Sequence, residues 1–108
     1  MPLYLLQGSY SPQAWAALAK NPEDREQGLR GLVERAGGRF HNLYYCFGEN
    51  DVVGIMEAPD PQTAAAVSIA VTSAGHLKSL QTTVLMTVKE AMDAMKKAGK
   101  LNYQGPKG

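Results

Sequence analysis

The chain has 108 residues, 44% of them hydrophobic and 19% charged, with a net charge of +1. That length suits one domain around one core, and lysines and arginines spread among acids exclude the basic stripe of a nucleic-acid binder. The single cysteine, Cys46, excludes an intrachain disulfide and fits a reducing compartment.

No apolar run nears the length of a membrane span. Met1-Pro2-Leu3-Tyr4 lacks the basic and apolar regions of a signal peptide. The expectation is a soluble, cytoplasmic protein with neither membrane nor nucleic-acid partners.

Leu3 to Tyr10 is aromatic and aliphatic without charge, which predicts a first strand. Ser11-Pro12 then reads as an N-cap with proline at the first helical position. Trp15, Leu18 and Ala19 form a stripe. Asn21-Pro22-Glu23-Asp24 repeats the start signal, so the helical region breaks there and restarts through Leu29, Leu32, Val33 and Ala36. Gly28 and Gly31 weaken this second piece, and Gly37-Gly38 ends it.

Residues 40–47 and 52–58 predict strands two and three, joined by a tight turn at 48–51 in which Gly48 and Asn50 supply positive φ. Pro59-Asp60-Pro61 stops the strand and caps a helix running through Ala64, Val67, Ala70, Val71 and Ala74 to Gly75. Residues 77–86 predict a fourth strand. Thr87-Val88-Lys89-Glu90 is a capping box, and Val88, Ala91, Met92, Met95 and Ala98 stripe the last helix. Met92 and Met95 read as core.

The order β-α-β-β-α-β plus a helix is the ferredoxin-like pattern, an α+β fold with a four-stranded antiparallel sheet. Residues 1–98 form the single domain, and 99–108 a flexible, basic C-terminal tail.

A tight turn places Phe47 opposite Val52, Tyr45 opposite Gly54 and Leu43 opposite Met56 on one face. Cys46 with Val53, Tyr44 with Ile55 and Asn42 with Glu57 share the other. Both faces are apolar near the turn, yet helices cover only one face of such a sheet. Soluble monomers avoid exposing an apolar patch of this kind, so the sequence predicts a homodimer or higher homo-oligomer.

The chain resembles the GYD-domain family over nearly its whole length. The resemblance is carried by Met1-Pro2-Leu3-Tyr4, Asn21-Pro22, Gly37-Gly38, the run from Tyr44 to Val53, and Glu57-Ala58-Pro59-Asp60. The family's Gly-Tyr-Asp motif aligns with Glu49, Asn50 and Asp51, so only the aspartate is kept. The resemblance implies a fold like that of dimeric α/β-barrel proteins, in which two open sheets face each other. It brings no established activity.

Asn42, Tyr44 and Glu57 on the open face, with Cys46 close by and Asp51 at the cavity mouth, are the expected ligand-binding residues. An apolar wall with a few polar groups is what a small-molecule pocket needs. A dimer seam with a polar rim fits the same residues equally well. Asp51 also suits a turn that accepts backbone N–H bonds, the more economical reading of it.

His41, His76 and Cys46 follow no ligand spacing, and no glycine-rich phosphate loop occurs, so neither metal nor cofactor is expected. Cys46 reads as a small apolar group. Pro2, if exposed by loss of Met1, resembles the amine of N-terminal-proline tautomerases, but the rest of the chain does not. Tyr44 to Ile55 is aromatic but acidic at its turn, unlike the basic strand motif of RNA-recognition modules.

The functional expectation is small-molecule binding or sensing between facing sheets. Two alternatives stand beside it. One is a cofactor-independent oxygenase, isomerase or dehydratase in the same cavity, and the other is an oligomerisation module.

Overall fold

The structure is a computed structural model and describes residues 1–107; Gly108, the end of the expected tail, lies outside them. The elements in order are β1 (Leu3–Tyr10), α1 (Pro12–Lys20), α2 (Arg25–Arg35), β2 (Arg39–Tyr45), β3 (Val52–Glu57), α3 (Pro61–Ser73), β4 (Leu77–Leu85) and α4 (Val88–Ala98). One antiparallel sheet has the order β2-β3-β1-β4, the ferredoxin-like arrangement. No helix among the described residues is long and apolar enough to cross a membrane.

Local signals decide where the helices begin and end. Ser11 accepts a hydrogen bond from the Ala14 amide, and Pro12 opens α1. Asp24 accepts from the Glu26 and Gln27 amides. Asp60 accepts from Thr63, and Thr87 with Glu90 closes a reciprocal capping box. Each cap pairs amides that the first helical turn leaves without partners. Gly37 and Gly75 follow helices at φ 98° and 86°, where a side chain would be strained.

The strand alternation sorts side chains to two faces. Tyr4 and Leu6 of β1 and Val52 and Met56 of β3 are buried against the helices. With Phe40, Val33, Ala64 and Val67 they form the core. α2 packs on β2 and α3 packs on β4. Leu3, Leu5, Val53 and Ile55 point to the face that carries no helix.

Three expectations meet corrections. First, the ladder between β2 and β3 pairs Tyr45 with Val52, Tyr44 with Val53 and Leu43 with Gly54. The shift by two residues keeps Asn42, Leu43, Tyr44, Tyr45 and the β3 side chains on their expected faces but moves the partners, and leaves Cys46 and Phe47 outside the ladder. Asn42 stands opposite Ile55, and Glu57 stands opposite Arg39.

Second, the turn is a longer loop without positive φ at Gly48 or Asn50. The Cys46 amide donates to the Asp51 carbonyl, so the loop proper is residues 47–50. The end of β1 explains it: the Asp51 amide donates to the Gly8 carbonyl, and Ser9 Oγ donates to the Glu49 carbonyl. These bonds draw the loop toward β1, out of reach of a two-residue turn.

Third, Met92 and Met95 are not core within one chain. No residue of α4 is buried, and α4 makes no substantial packing with any other element. The radius of gyration is 17.5 Å, against about 13 Å for a compact domain of similar length. The capping box makes α4 a helix, but nothing in the same chain receives its stripe.

Candidate functional site

The open face of the sheet carries Leu3, Leu5, Val53, Ile55 and Tyr44, with Gln7, Gln81 and Thr83 toward β4 and further polar groups at the β2 edge. Tyr44 is 63% exposed and Ile55 37% exposed, both large for apolar side chains in a sheet. Asn42 follows a bulge at which β2 steps from Phe40 to Asn42 while β3 steps from Met56 to Ile55. The inserted residue, His41, therefore turns to the open side. Its Nε2 lies 2.9 Å from Glu57 Oε2, the ring N–H donating to the carboxylate.

The bulge has a physical cause in α2. Arg30 donates to the His41 carbonyl at 2.8 Å, and the Leu43 amide donates to Glu26 Oε2 at 2.8 Å. Glu26 and Arg30 also pair with each other one helical turn apart, and Arg30 lies over the Phe40 ring. β2 is an edge strand, whose outward backbone groups would otherwise seek another strand. The helix satisfies them, and the extra residue is accommodated as a bulge that re-aims a side chain.

Of the five expected binding residues, the structure brings Asn42, Tyr44 and Glu57 to one face. It separates Asp51 and Cys46 from them. Asp51 Oδ2 accepts from the Tyr10 amide at 3.0 Å and from Trp15 Nε1 at 3.1 Å, tying β1 and α1 to the start of β3. Around it Tyr10, Trp15, Tyr45 and Phe47 form an aromatic cluster on the helix side, with Tyr10 edge-on to Trp15 at 5.1 Å. Cys46 is half-buried, and its Sγ donates to the Asn50 carbonyl inside the loop. Both residues therefore serve the loop geometry.

His41 is the residue that sequence reasoning missed. Only its place beside Asn42 hinted at a role, because alternation puts it on the opposite face. Burial pushes the Tyr10 hydroxyl well above its usual pKa, with the Tyr45 hydroxyl 3.4 Å away adding to the shift. Chemically, an imidazole held by a carboxylate is a hydrogen-bonding and proton-transfer pair. No described hydrogen bond links it to a hydroxyl or thiol nucleophile. No group of three or more histidine, cysteine, aspartate or glutamate side chains among the described residues is arranged to hold a metal ion.

Comparison with solved structures finds the same fold at low identity. The crystal structure of MtbAldR matches with a TM-score of 0.58 and 12% identity, covering 80% of this chain and 53% of that one. The chain thus spans about half the length of that protein. The structure of FFRP-DM1 matches with a TM-score of 0.50 and 11% identity, over 80% of this chain and 100% of that one. An uncharacterized NIPSNAP domain protein from Burkholderia xenovorans has a TM-score of 0.46 and 10% identity, over 82% of this chain and 95% of that one. Among curated proteins, none matches. The family model described as GYD domain matches residues 4–95, nearly the whole sheet, the first three helices and most of α4, and the chain belongs to the GYD domain family.

Proposed function

We propose that this protein is a cytoplasmic homo-oligomer that binds or senses a small molecule between the open faces of facing sheets. Residues 1–98 are the working unit, and the stretch from 99 onward is a tail. The observation that carries the reading is the hydrogen-bonded His41–Glu57 pair at the edge of an uncovered apolar patch. A few polar groups in apolar surroundings are the usual make-up of a ligand site. Uncovered apolar surface on both the sheet and α4 supports assembly, and two-fold closure is its commonest form. The free thiol of Cys46 fits a reducing compartment.

In this reading Tyr44 and Ile55 supply the wall, Asn42 an amide, and His41 with Glu57 a donor–acceptor pair. Asp51 and Cys46 hold the neighbouring loop and act on the site only through its shape. The test is a thermal-shift screen of small metabolites on wild type, Tyr44→Ala and His41→Gln, followed by calorimetry of each hit. The expected result is a ligand that both variants bind more weakly with the assembly intact. A ligand held equally by all three overturns the placement.

The same pair supports a second reading, acid–base catalysis by His41 oriented by Glu57. Turnover of a hit that falls with both His41→Gln and Glu57→Gln distinguishes an enzyme from a binder.

A further inference from the structure

The helix-covered face of the sheet holds a cavity of about 60 Å³ that no side chain fills. It lies where α2 and α3 part, α2 leaning on β2 and α3 on β4. The strand positions that line it include Gly8 and Gly54. At Gly54 a Cβ would come within 2.9 Å of Phe40 Cζ, so the Phe40 ring covers this part of the floor and borders the remaining space. Leu29, Val67, Val71 and Leu80 make apolar walls. Protein interiors are normally close-packed, and each unfilled space forfeits contacts.

Polar groups line the same cavity. Arg25, at the start of α2, and Tyr10, at the end of β1, both border the cavity. The Arg25 guanidinium pairs with Glu23 at 3.1 Å, and both side chains are substantially exposed. Such a pair contributes little and exchanges readily for a better anion. Tyr10, whose hydroxyl burial keeps protonated, supplies a donor beside it.

We propose that this cavity is a second ligand site, separate from the open face, and that it takes a short apolar carboxylate whose tail enters between α2 and α3 and whose carboxylate meets Arg25 and Tyr10. An engineered apolar cavity of about 150 Å³ holds benzene, so by the same scaling this space takes about two carbons of the tail and the opening the remainder. The proposal stands independently of assembly and of the His41–Glu57 pair.

The experiment is calorimetry and amide NMR of the full chain with sodium pentanoate, with 1-pentanol as the uncharged counterpart and sodium acetate as the tailless one. Saturable pentanoate binding is expected, with shifts at the amides of Gly8, Gly54 and Val71. Pentanol binds about tenfold more weakly and acetate more weakly still, because one lacks the charge and the other the tail. Arg25→Gln, a change at a half-exposed position that leaves the fold intact, lowers pentanoate affinity about tenfold and leaves pentanol unchanged. Val71→Phe fills the cavity and abolishes both. Tyr44→Ala leaves pentanoate binding as in wild type, which separates this site from the open face. Three results overturn the proposal: no saturable binding to wild type, equal binding by Arg25→Gln, or shifts confined to Asn42, Tyr44 and Ile55.

Discussion

The two faces of this sheet are built by the same strands from alternating residues of similar polarity, yet they differ in what holds them. On the helix side Met56 is fully buried and Val52 nearly so, each in contact with several elements. On the open side Ile55, between them in sequence, is 37% exposed and meets mainly its strand neighbours. Hydrophobicity alone therefore does not make a core position; a covering element does. The helix face is a matter of folding. The open face is a matter of what the chain meets afterwards.

The sharpest way to break this comparison is Ile55→Lys. If a second copy covers the open face, an unpaired charge at its centre costs association about 3–5 kcal/mol. The expected product is a folded 11.6 kDa species in sedimentation with an unchanged circular dichroism spectrum. An unaltered assembly would put the seam elsewhere.

Met56→Ala reports on the other face. Truncating a fully buried methionine costs about 2–5 kcal/mol of folding stability, read from urea unfolding. A loss below 1 kcal/mol would show that the helix face repacks freely, against the distinction drawn here.

Asp51→Ala tests the join between the faces. It strands the Tyr10 amide and Trp15 Nε1, which costs about 1–3 kcal/mol. Trp15 fluorescence should shift with it, and ligand binding on the open face should change less than with Tyr44→Ala. Tyr44→Ala itself should alter the stability of the single chain by no more than about 0.5 kcal/mol, because that side chain is mostly exposed.

The smallest effect is on acid stability. Hydrogen bonding by Thr63 holds the Asp60 carboxyl below its ordinary pKa of 3.8. A depressed folded-state value favours the fold above the unfolded pKa, and this contribution disappears as pH falls through the folded one. Asp60→Ser should therefore flatten the acid limb of the stability curve below about pH 4, as read by urea midpoints across pH.

The element order, the break and restart of the first helical region, and the caps at Ser11, Asp60 and Thr87 were legible in the sequence because they rest on contacts within a few residues; Asp24 was read as a first-turn acid, and the structure makes it the N-cap. Ser11-Pro12, Asp24, Asp60 and Thr87 each act on amides one turn away. The face assignment of Tyr44, Ile55 and Glu57 was equally legible, since alternation along a strand is a local property that a two-residue slip preserves.

What only the tertiary structure decided depends on contacts between distant segments. The register between β2 and β3 follows from the end of β1, Gly8, Ser9 and Tyr10, capturing Glu49 and Asp51 in one set of hydrogen bonds. The bulge at His41 follows from Glu26 and Arg30 satisfying an edge strand, and alternation would have turned that histidine away from Glu57. The stripe of α4 specifies a helix with an apolar side, but whether that side is buried depends on geometry beyond the helix. The cavity between α2 and α3 is set by where two helices come to rest on the sheet. No spacing of residues encodes a distance between elements that meet only when the chain has folded.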